Sequence, residues 1–169
     1  DAAVRETAMS CSWKLKTLLR TERFFNGWQL VDLYKTHVLS YVEYRTPPVY
    51  HASCSVLADL DAVQKRVLRA ACMSELEALM VTNLAPLKTH RDIAMLGLIH
   101  RTVLGKGPEQ FRKFFRLADS AGTNRTRRQE RRHALQLVEF RDGRHTDYVA
   151  RSALGLISVY NLLPQGVID

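Results

Sequence analysis

The sequence lacks the cysteine patterns that build covalent or zinc-bound scaffolds. Its 169 residues include only three cysteines, Cys11, Cys54 and Cys72, which lie far apart and form no CxxC pair. An odd number of isolated cysteines indicates neither a disulfide framework nor a zinc ribbon. The cysteine content therefore predicts an intracellular, reducing compartment, the nucleus or the cytoplasm.

Long apolar runs and tracts rich in proline or glycine are also missing. The longest uncharged stretch, residues 152–168, is interrupted by Asn161 and Pro164, so we expect no membrane span. Five prolines and eight glycines are too few for a disordered chain, and we expect the protein to fold. The chain starts at Asp1 instead of Met, which predicts an excised or processed fragment.

The residue patterns of a polymerase or phosphate-transfer centre are absent. A polymerase palm holds two divalent metals with adjacent carboxylates, and the chain has no Asp-Asp pair. Asp59 and Asp61 are predicted to point to different faces of one helix, as structural residues. Residues 105–108 (GKGP) are too short for a phosphate-binding loop. Because the six histidines do not cluster with other ligands, we expect no metal, no cofactor and no enzymatic activity of this chain alone.

The sequence does have an excess of positive charge. Twenty-five Lys and Arg stand against seventeen Asp and Glu, which leaves a net charge of +8. A balance of this size favours a polyanionic partner, first nucleic acid and second an anionic membrane surface. A soluble basic protein without such a partner is the alternative.

Two groups of basic residues are the candidate nucleic-acid contacts. Residues 124–145 hold seven arginines and three acidic residues, a local balance of +4. Guanidinium groups suit bidentate phosphate contact, although a solvated loop has the same composition. A second group lies on the third predicted helix, where it is also typical of any exposed amphipathic face. The candidates are Arg125, Arg127, Arg128, Arg131, Arg132, Lys65, Arg66 and Arg69.

Apolar residues at helical spacing predict a mainly α fold of about seven helices. The predicted helices run over 3–24, 28–44, 55–72, from the capping box Ser74–Glu77, from Thr89 to Gly105, from Pro108, and from Thr146 or Asp147 to Pro164. Alternation over residues 134–141 (ALQLVEFR) predicts one short strand or hairpin. We expect a helical domain over 1–122, with the basic loop, strand and final helix of 123–169 packed on it.

Five short segments occur in an order that carries a family resemblance. Residues 33–44 read LYKTHVLSYVEY, residues 60–69 read LDAVQKRVLR, and residues 84–87 read LAPL before a helix with Arg near its start. Residues 132–137 (RHALQL) and 159–164 (VYNLLP) lie near the end. Together these segments resemble the region that follows the palm in LINE-type (non-LTR) retrotransposon reverse transcriptases.

The resemblance, over about residues 25–169, implies a helical, thumb-like C-terminal module that packs beside the template–primer duplex. The catalytic aspartates of that family lie upstream of this region, and none is carried over. One departure is Tyr160, which stands where the family usually has tryptophan.

We therefore predict accessory, non-sequence-specific RNA or DNA backbone binding by a catalytically incomplete reverse-transcriptase fragment. Its partners would be the template–primer duplex and the missing N-terminal polymerase region or other protein subunits. Two alternatives stay open: a helical protein–protein module that acts as a structural subunit of a larger assembly, and a non-functional remnant.

Overall fold

The computed structural model describes residues 2–118, 132–139, 149–150 and 152–168. This part of the chain is mainly helical, as predicted. Its α-helices are α1 (Ala2–Leu19), α2 (Gly27–Tyr34), α3 (Ser40–Tyr44), α4 (Thr46–Val49), α5 (Cys54–Ala70), α6 (Glu75–Thr82), α7 (Leu87–Val103), α8 (Leu156–Asn161) and α9 (Gln165–Ile168). Short 3₁₀ turns cover Glu22–Phe24 and Glu109–Phe111, and a π-helical segment, Lys35–Leu39, joins α2 to α3. No described helix combines the length and apolar character needed to cross a membrane.

The chain forms two compact units, Asp1–Ala94 and Met95–Asp169, and their boundary falls inside α7. The division predicted between residues 122 and 123 lies outside the described residues.

The core of the first unit is built where α1 packs against α5. The inward side of α1 carries Cys11 and Leu15, and that of α5 carries Leu60, Val63 and Val67, all fully or almost fully buried. Removing one such side chain from water contributes about 1.5–3 kcal/mol. This packing leaves the opposite sides of both helices exposed, and those sides carry most of their charged residues.

Gly27 begins α2, one residue before the predicted start of that helix at Trp28. Asn26 caps that helix by accepting a hydrogen bond from the Gln29 amide at 2.9 Å, and the Gln29 side chain accepts from the Asn26 amide at 3.0 Å. A Cβ at Gly27 would lie 2.5 Å from the Ala71 carbonyl oxygen. Glycine is therefore required here by the close approach of α2 to the end of α5.

Several predicted helix boundaries are wrong. Cys54 begins α5, so Ser53 and not Ser55 occupies the N-cap position. Pro47 and Pro48 do not stop the chain from being helical, because they occupy the first turn of α4, where a missing amide costs nothing. At the start of α6 the predicted helix start is confirmed, and the serine half of the predicted capping box forms: the Ser74 hydroxyl accepts from the Glu77 amide at 3.1 Å.

The helix predicted from Pro108 is also wrong. Pro108 has extended geometry and is followed by only one 3₁₀ turn. The chain then continues to Leu117, which forms an isolated antiparallel bridge with Leu137. Phe115 alone among the three phenylalanines of this segment is buried.

The predicted strand near the C-terminus is not present in residues 134–139, the part of it that the structure describes. Only the isolated bridge forms there, with the Val138 amide donating to the Arg116 carbonyl at 2.9 Å. The other edge of Leu137 is occupied by a side chain: its amide donates to Asn161 Oδ1 at 2.8 Å, and Asn161 Nδ2 donates to its carbonyl at 2.9 Å. Because Asn161 takes both backbone groups, no second strand is needed to satisfy them.

Of the final helix predicted to end at Pro164, the part from Leu156 to Asn161 forms α8, whereas residues 152–155 form a turn. Pro164 is followed by the short helix α9. The predicted caps Thr146 and Asp147 lie outside the described residues.

Candidate nucleic-acid interface

The predicted basic residues of α5 lie on its exposed side. Lys65, Arg66 and Arg69 are all exposed, whereas Val63 and Val67 on the opposite side are buried. Arg69 Nε donates to the Lys65 carbonyl at 3.3 Å. Within the described part of the chain, none of the three cations forms an ion pair. All three are therefore available to an anionic ligand.

Packing of α1 against α5 creates an open groove of about 470 Å³. Ser12, Trp13, Lys16 and Leu19 line it from α1, and Arg66 lines it from α5. We call this set the α1–α5 groove. It brings one predicted residue, Arg66, together with two residues that the sequence analysis missed, Lys16 and Trp13.

Trp13 is the largest exposed side chain of the groove, at 70% of its full accessible area. It and Lys16 are three residues apart, which places them on neighbouring positions of one helical face. That face is opposite the buried residues Cys11 and Leu15. The pairing of an exposed indole with a cation at this spacing is the sequence feature that would have identified the site.

The two helix stretches that carry the groove have no negative charge. Residues 7–21 and 62–74 contain no Asp or Glu and hold six cations: Lys14, Lys16, Arg20, Lys65, Arg66 and Arg69. Lys14 is used inside the fold, since its Nζ lies 5.2 Å from the centre of the Tyr41 ring. The other five are exposed. A cluster of one sign raises the local concentration of an oppositely charged ligand.

Most of the predicted arginine-rich segment falls in a part of the chain that the structure does not describe. Arg125, Arg127, Arg128 and Arg131 lie outside the described residues. Arg132 is exposed, and its Nη1 donates to the Leu162 carbonyl, at the end of α8, at 3.4 Å.

The second unit carries another basic segment that the sequence analysis did not select. Residues 101–116 contain five cations and one acidic residue, a balance of +4: Arg101, Lys106, Arg112, Lys113 and Arg116 against Glu109. All five cations are exposed. Lys113 Nζ lies 5.0 Å from the centre of the Phe114 ring, which is itself half exposed. This segment therefore also combines exposed cations with an accessible aromatic ring.

Three part-buried pairs of polar side chains link elements of the first unit. Arg91 donates to Asp61 at 2.7 Å, Tyr50 donates to Asp92 at 2.7 Å, and His90 Nδ1 lies 2.8 Å from a Glu43 oxygen. These contacts join the start of α7 to three other elements, and we interpret them as structural. In the described ranges, no three His, Cys, Asp or Glu residues converge as a metal site would require.

Cys11 is buried and is a poor candidate for a nucleophile. Burial raises the pKa of its thiol to about 11, against the smaller opposing effects of Lys14 and Arg45. The thiol is therefore protonated at neutral pH, whereas a nucleophilic cysteine needs its thiolate form.

Segments that carry the family resemblance contact one another within each unit. Gln64 Nε2 donates to the Ala85 carbonyl at 2.9 Å, which joins the α5 segment to the LAPL step. His133 Nε2 lies 3.0 Å from the Tyr160 carbonyl oxygen, next to the paired Leu137 and Asn161. Comparison of the chain with protein-family models, curated proteins and solved structures finds no match.

Proposed function

We propose that this chain binds the RNA or DNA backbone without sequence specificity. The observation that carries the proposal is the α1–α5 groove, where Arg66 of one helix lies beside Lys16 and Trp13 of the other. The surrounding residues add further cations and no acidic group over both helix stretches. Cations on rigid helices neutralise phosphates and release counterions, and these contacts carry no base information.

We further propose that the chain is a catalytically incomplete, C-terminal part of a LINE-type reverse transcriptase. The support is the order of its motif-like segments and the contacts between them, such as Gln64 with Ala85. In this proposal the chain supports a polymerase centre located elsewhere in its parent protein, and no primer extension is expected from the purified chain with Mg²⁺ or Mn²⁺.

The test is binding to a labelled RNA–DNA duplex across a salt series. The chain is compared with a variant in which Lys65, Arg66 and Arg69 are changed to alanine. If these three contact phosphates, the slope of log K against log salt flattens by about 3 in the variant. Lys88→Ala, which removes an exposed cation on α7, is the control and is expected to change the slope by no more than about 1. Absence of salt-dependent binding of both this duplex and a single strand by the unmodified chain would sink the proposal.

A protein–protein role is the second candidate, and α6 favours it. This eight-residue helix exposes Leu76 and Met80 at 70% and 76%, with Leu79 and Val81 partly exposed beside them. Exposed apolar patches of this kind are common at interfaces. A photo-crosslinking residue in place of Met80 should form one discrete adduct with a protein partner if this role is correct, and scattered or no adducts if it is not.

A further inference from the structure

We infer that the α1–α5 groove is a site for one unpaired nucleotide of a single strand. In this arrangement the base stacks on Trp13, and its phosphate lies between Lys16 and Arg66. The inference rests on the proposed function and narrows it, because it distinguishes unpaired nucleic acid from a duplex as the ligand of this site.

The indole of Trp13 offers a free aromatic face. Its backbone is fixed in α1, and its carbonyl accepts a hydrogen bond from the Thr17 hydroxyl at 3.1 Å. Among the described residues, no ring packs on Trp13 and no cation lies over it. A flat apolar ring held on a rigid helix loses little freedom when a second flat ring covers it, and nucleic-acid bases stack on such side chains without sequence preference.

The size of the groove suits a nucleotide. Its volume of about 470 Å³ lies in the range of about 300–1,000 Å³ typical of small-ligand sites. The lining of the groove is almost wholly apolar, and Leu19 adds to it beside the indole. Inside a duplex, by contrast, each base face is already covered by its neighbours, so Trp13 would have nothing to stack on.

Charge identifies the rest of the ligand. Lys16 lines the groove from the helix that carries Trp13, and Arg66 lines it from α5. Because the lining is almost wholly apolar, both side chains contribute their aliphatic stems to the walls, and in this inference their charged ends meet the phosphate at the rim. The guanidinium of Arg66 can contact two phosphate oxygens, and the Lys16 ammonium acts as a point charge. An acidic peptide also matches these charges but has no planar base for the indole. The combination therefore favours a nucleotide over a peptide.

The experiment compares an oligo(U) strand with a blunt duplex of equal length. Trp13→Ala is expected to weaken oligo(U) binding by about 5- to 150-fold, which corresponds to the 1–3 kcal/mol of one base stack, and to change duplex binding less than twofold. Trp13→Phe should restore part of the affinity because it keeps an aromatic face. Trp28→Ala removes the other tryptophan, which is also exposed, and should leave both affinities unchanged.

A spectroscopic measurement tests the stack directly. In a Trp28→Phe variant Trp13 is the only tryptophan, and its fluorescence should be quenched by oligo(U) and much less by the duplex. Equal effects of Trp13→Ala on both ligands, or displacement of oligo(U) by polyglutamate at equal charge, would overturn the inference and leave backbone binding intact. If the unmodified chain binds neither nucleic acid in a salt-dependent way, the proposed function itself fails.

Discussion

The ends of α7 and α5 form the same kind of C-terminal cap, in which one residue adopts the left-handed conformation, but the residue differs between the two helices. After α7, the Lys106 amide donates to the Arg101 carbonyl, and Gly105 has a φ of +74°. After α5, the Met73 amide donates to the Leu68 carbonyl in the same way, but the left-handed position is held by Cys72, with a φ of +53°. A β-carbon in this conformation costs about 1–2 kcal/mol, so Cys72 is a strained cap.

Replacing Cys72 with glycine should stabilise the protein. Relief of the left-handed strain outweighs the added freedom of the unfolded chain, and we expect a gain of about 0.5–1 kcal/mol in the free energy of unfolding. Gly105→Ala is the matched control and should destabilise by about 1 kcal/mol. Urea denaturation measures both changes, and a destabilised Cys72→Gly variant would contradict the interpretation.

Burial of Cys11 predicts a loss of stability at alkaline pH. Its pKa is about 11 in the folded chain and near 9 as an ordinary thiol. The unfolded chain therefore loses its proton first, so stability is fully present below pH 9 and falls as the pH rises from 9 to 11. The loss from this thiol is on the order of 2 kcal/mol.

A Cys11 variant tests whether the loss of folding stability at alkaline pH comes from this thiol. Cys11→Ala should decline less steeply between pH 9 and 11 than the unmodified chain, although Tyr34, whose hydroxyl pKa is also raised by burial, keeps its own contribution. Alkylation gives a second readout. Cys54 and Cys72 are exposed and should react in the folded state, whereas Cys11 should react only after unfolding.

At the scale of elements, the first turns of α7 hold the first unit together by polar contacts. The consecutive residues His90, Arg91 and Asp92 reach Glu43, Asp61 and Tyr50, which lie in or beside three other helices. The sequence predicts Thr89 as the cap of this helix, but α7 begins two residues earlier, at Leu87. The polar residues at positions 90–92 therefore lie inside the helix and make tertiary contacts instead of capping its start.

Removal of the Asp61 carboxylate should leave the Arg91 guanidinium buried without its partner. Arg91 is almost fully buried, while Asp61 is partly exposed, so we expect Asp61→Asn to cost about 2 kcal/mol, below the 3–5 kcal/mol of a fully buried pair. Asp59→Asn, on the exposed side of the same helix, is the control and should change stability by less than about 0.5 kcal/mol. Equal effects of the two changes would show that the ion pair contributes nothing.

At the scale of the whole molecule, positive charge is unevenly divided. Residues 1–94 have twelve cations and ten acidic residues, and residues 95–169 have thirteen and seven, so the balances are +2 and +6. Because its excess is small, the first unit can attract an anion only where its cations lie apart from its acidic residues, as they do at the α1–α5 groove. In the second unit the excess lies within residues 101–144, which hold twelve cations and five acidic residues.

If both units contact phosphates, their contributions to the salt slope should add. Changing Arg125, Arg127, Arg128, Arg131 and Arg132 to alanine should flatten the slope by about 4 to 5, and the α5 triple variant by about 3. A variant with all eight changes should lose roughly the sum. A combined loss no larger than that of the five arginines alone would show that the α5 cations contact no phosphate.

The sequence by itself determined the features that depend on local patterns. Apolar residues at helical spacing predicted α5 and α7 within a few residues, and Ser74 and Gly105 marked a helix start and a helix end. The excess of basic residues and the exposed position of Lys65, Arg66 and Arg69 also followed from spacing, because an amphipathic helix must turn its charged side to solvent.

Only the tertiary structure decided which residues meet. Trp13 and Arg66 are 53 positions apart in the sequence, and their juxtaposition depends on how α1 packs against α5. The strand predicted at Leu137 does not form for the same reason. The alternation of apolar and polar residues is a local pattern, whereas the partner of the Leu137 backbone is the side chain of Asn161 and not a second strand. Periodicity fixes the face that a residue occupies within its own element, whereas packing between distant elements fixes the partner on that face.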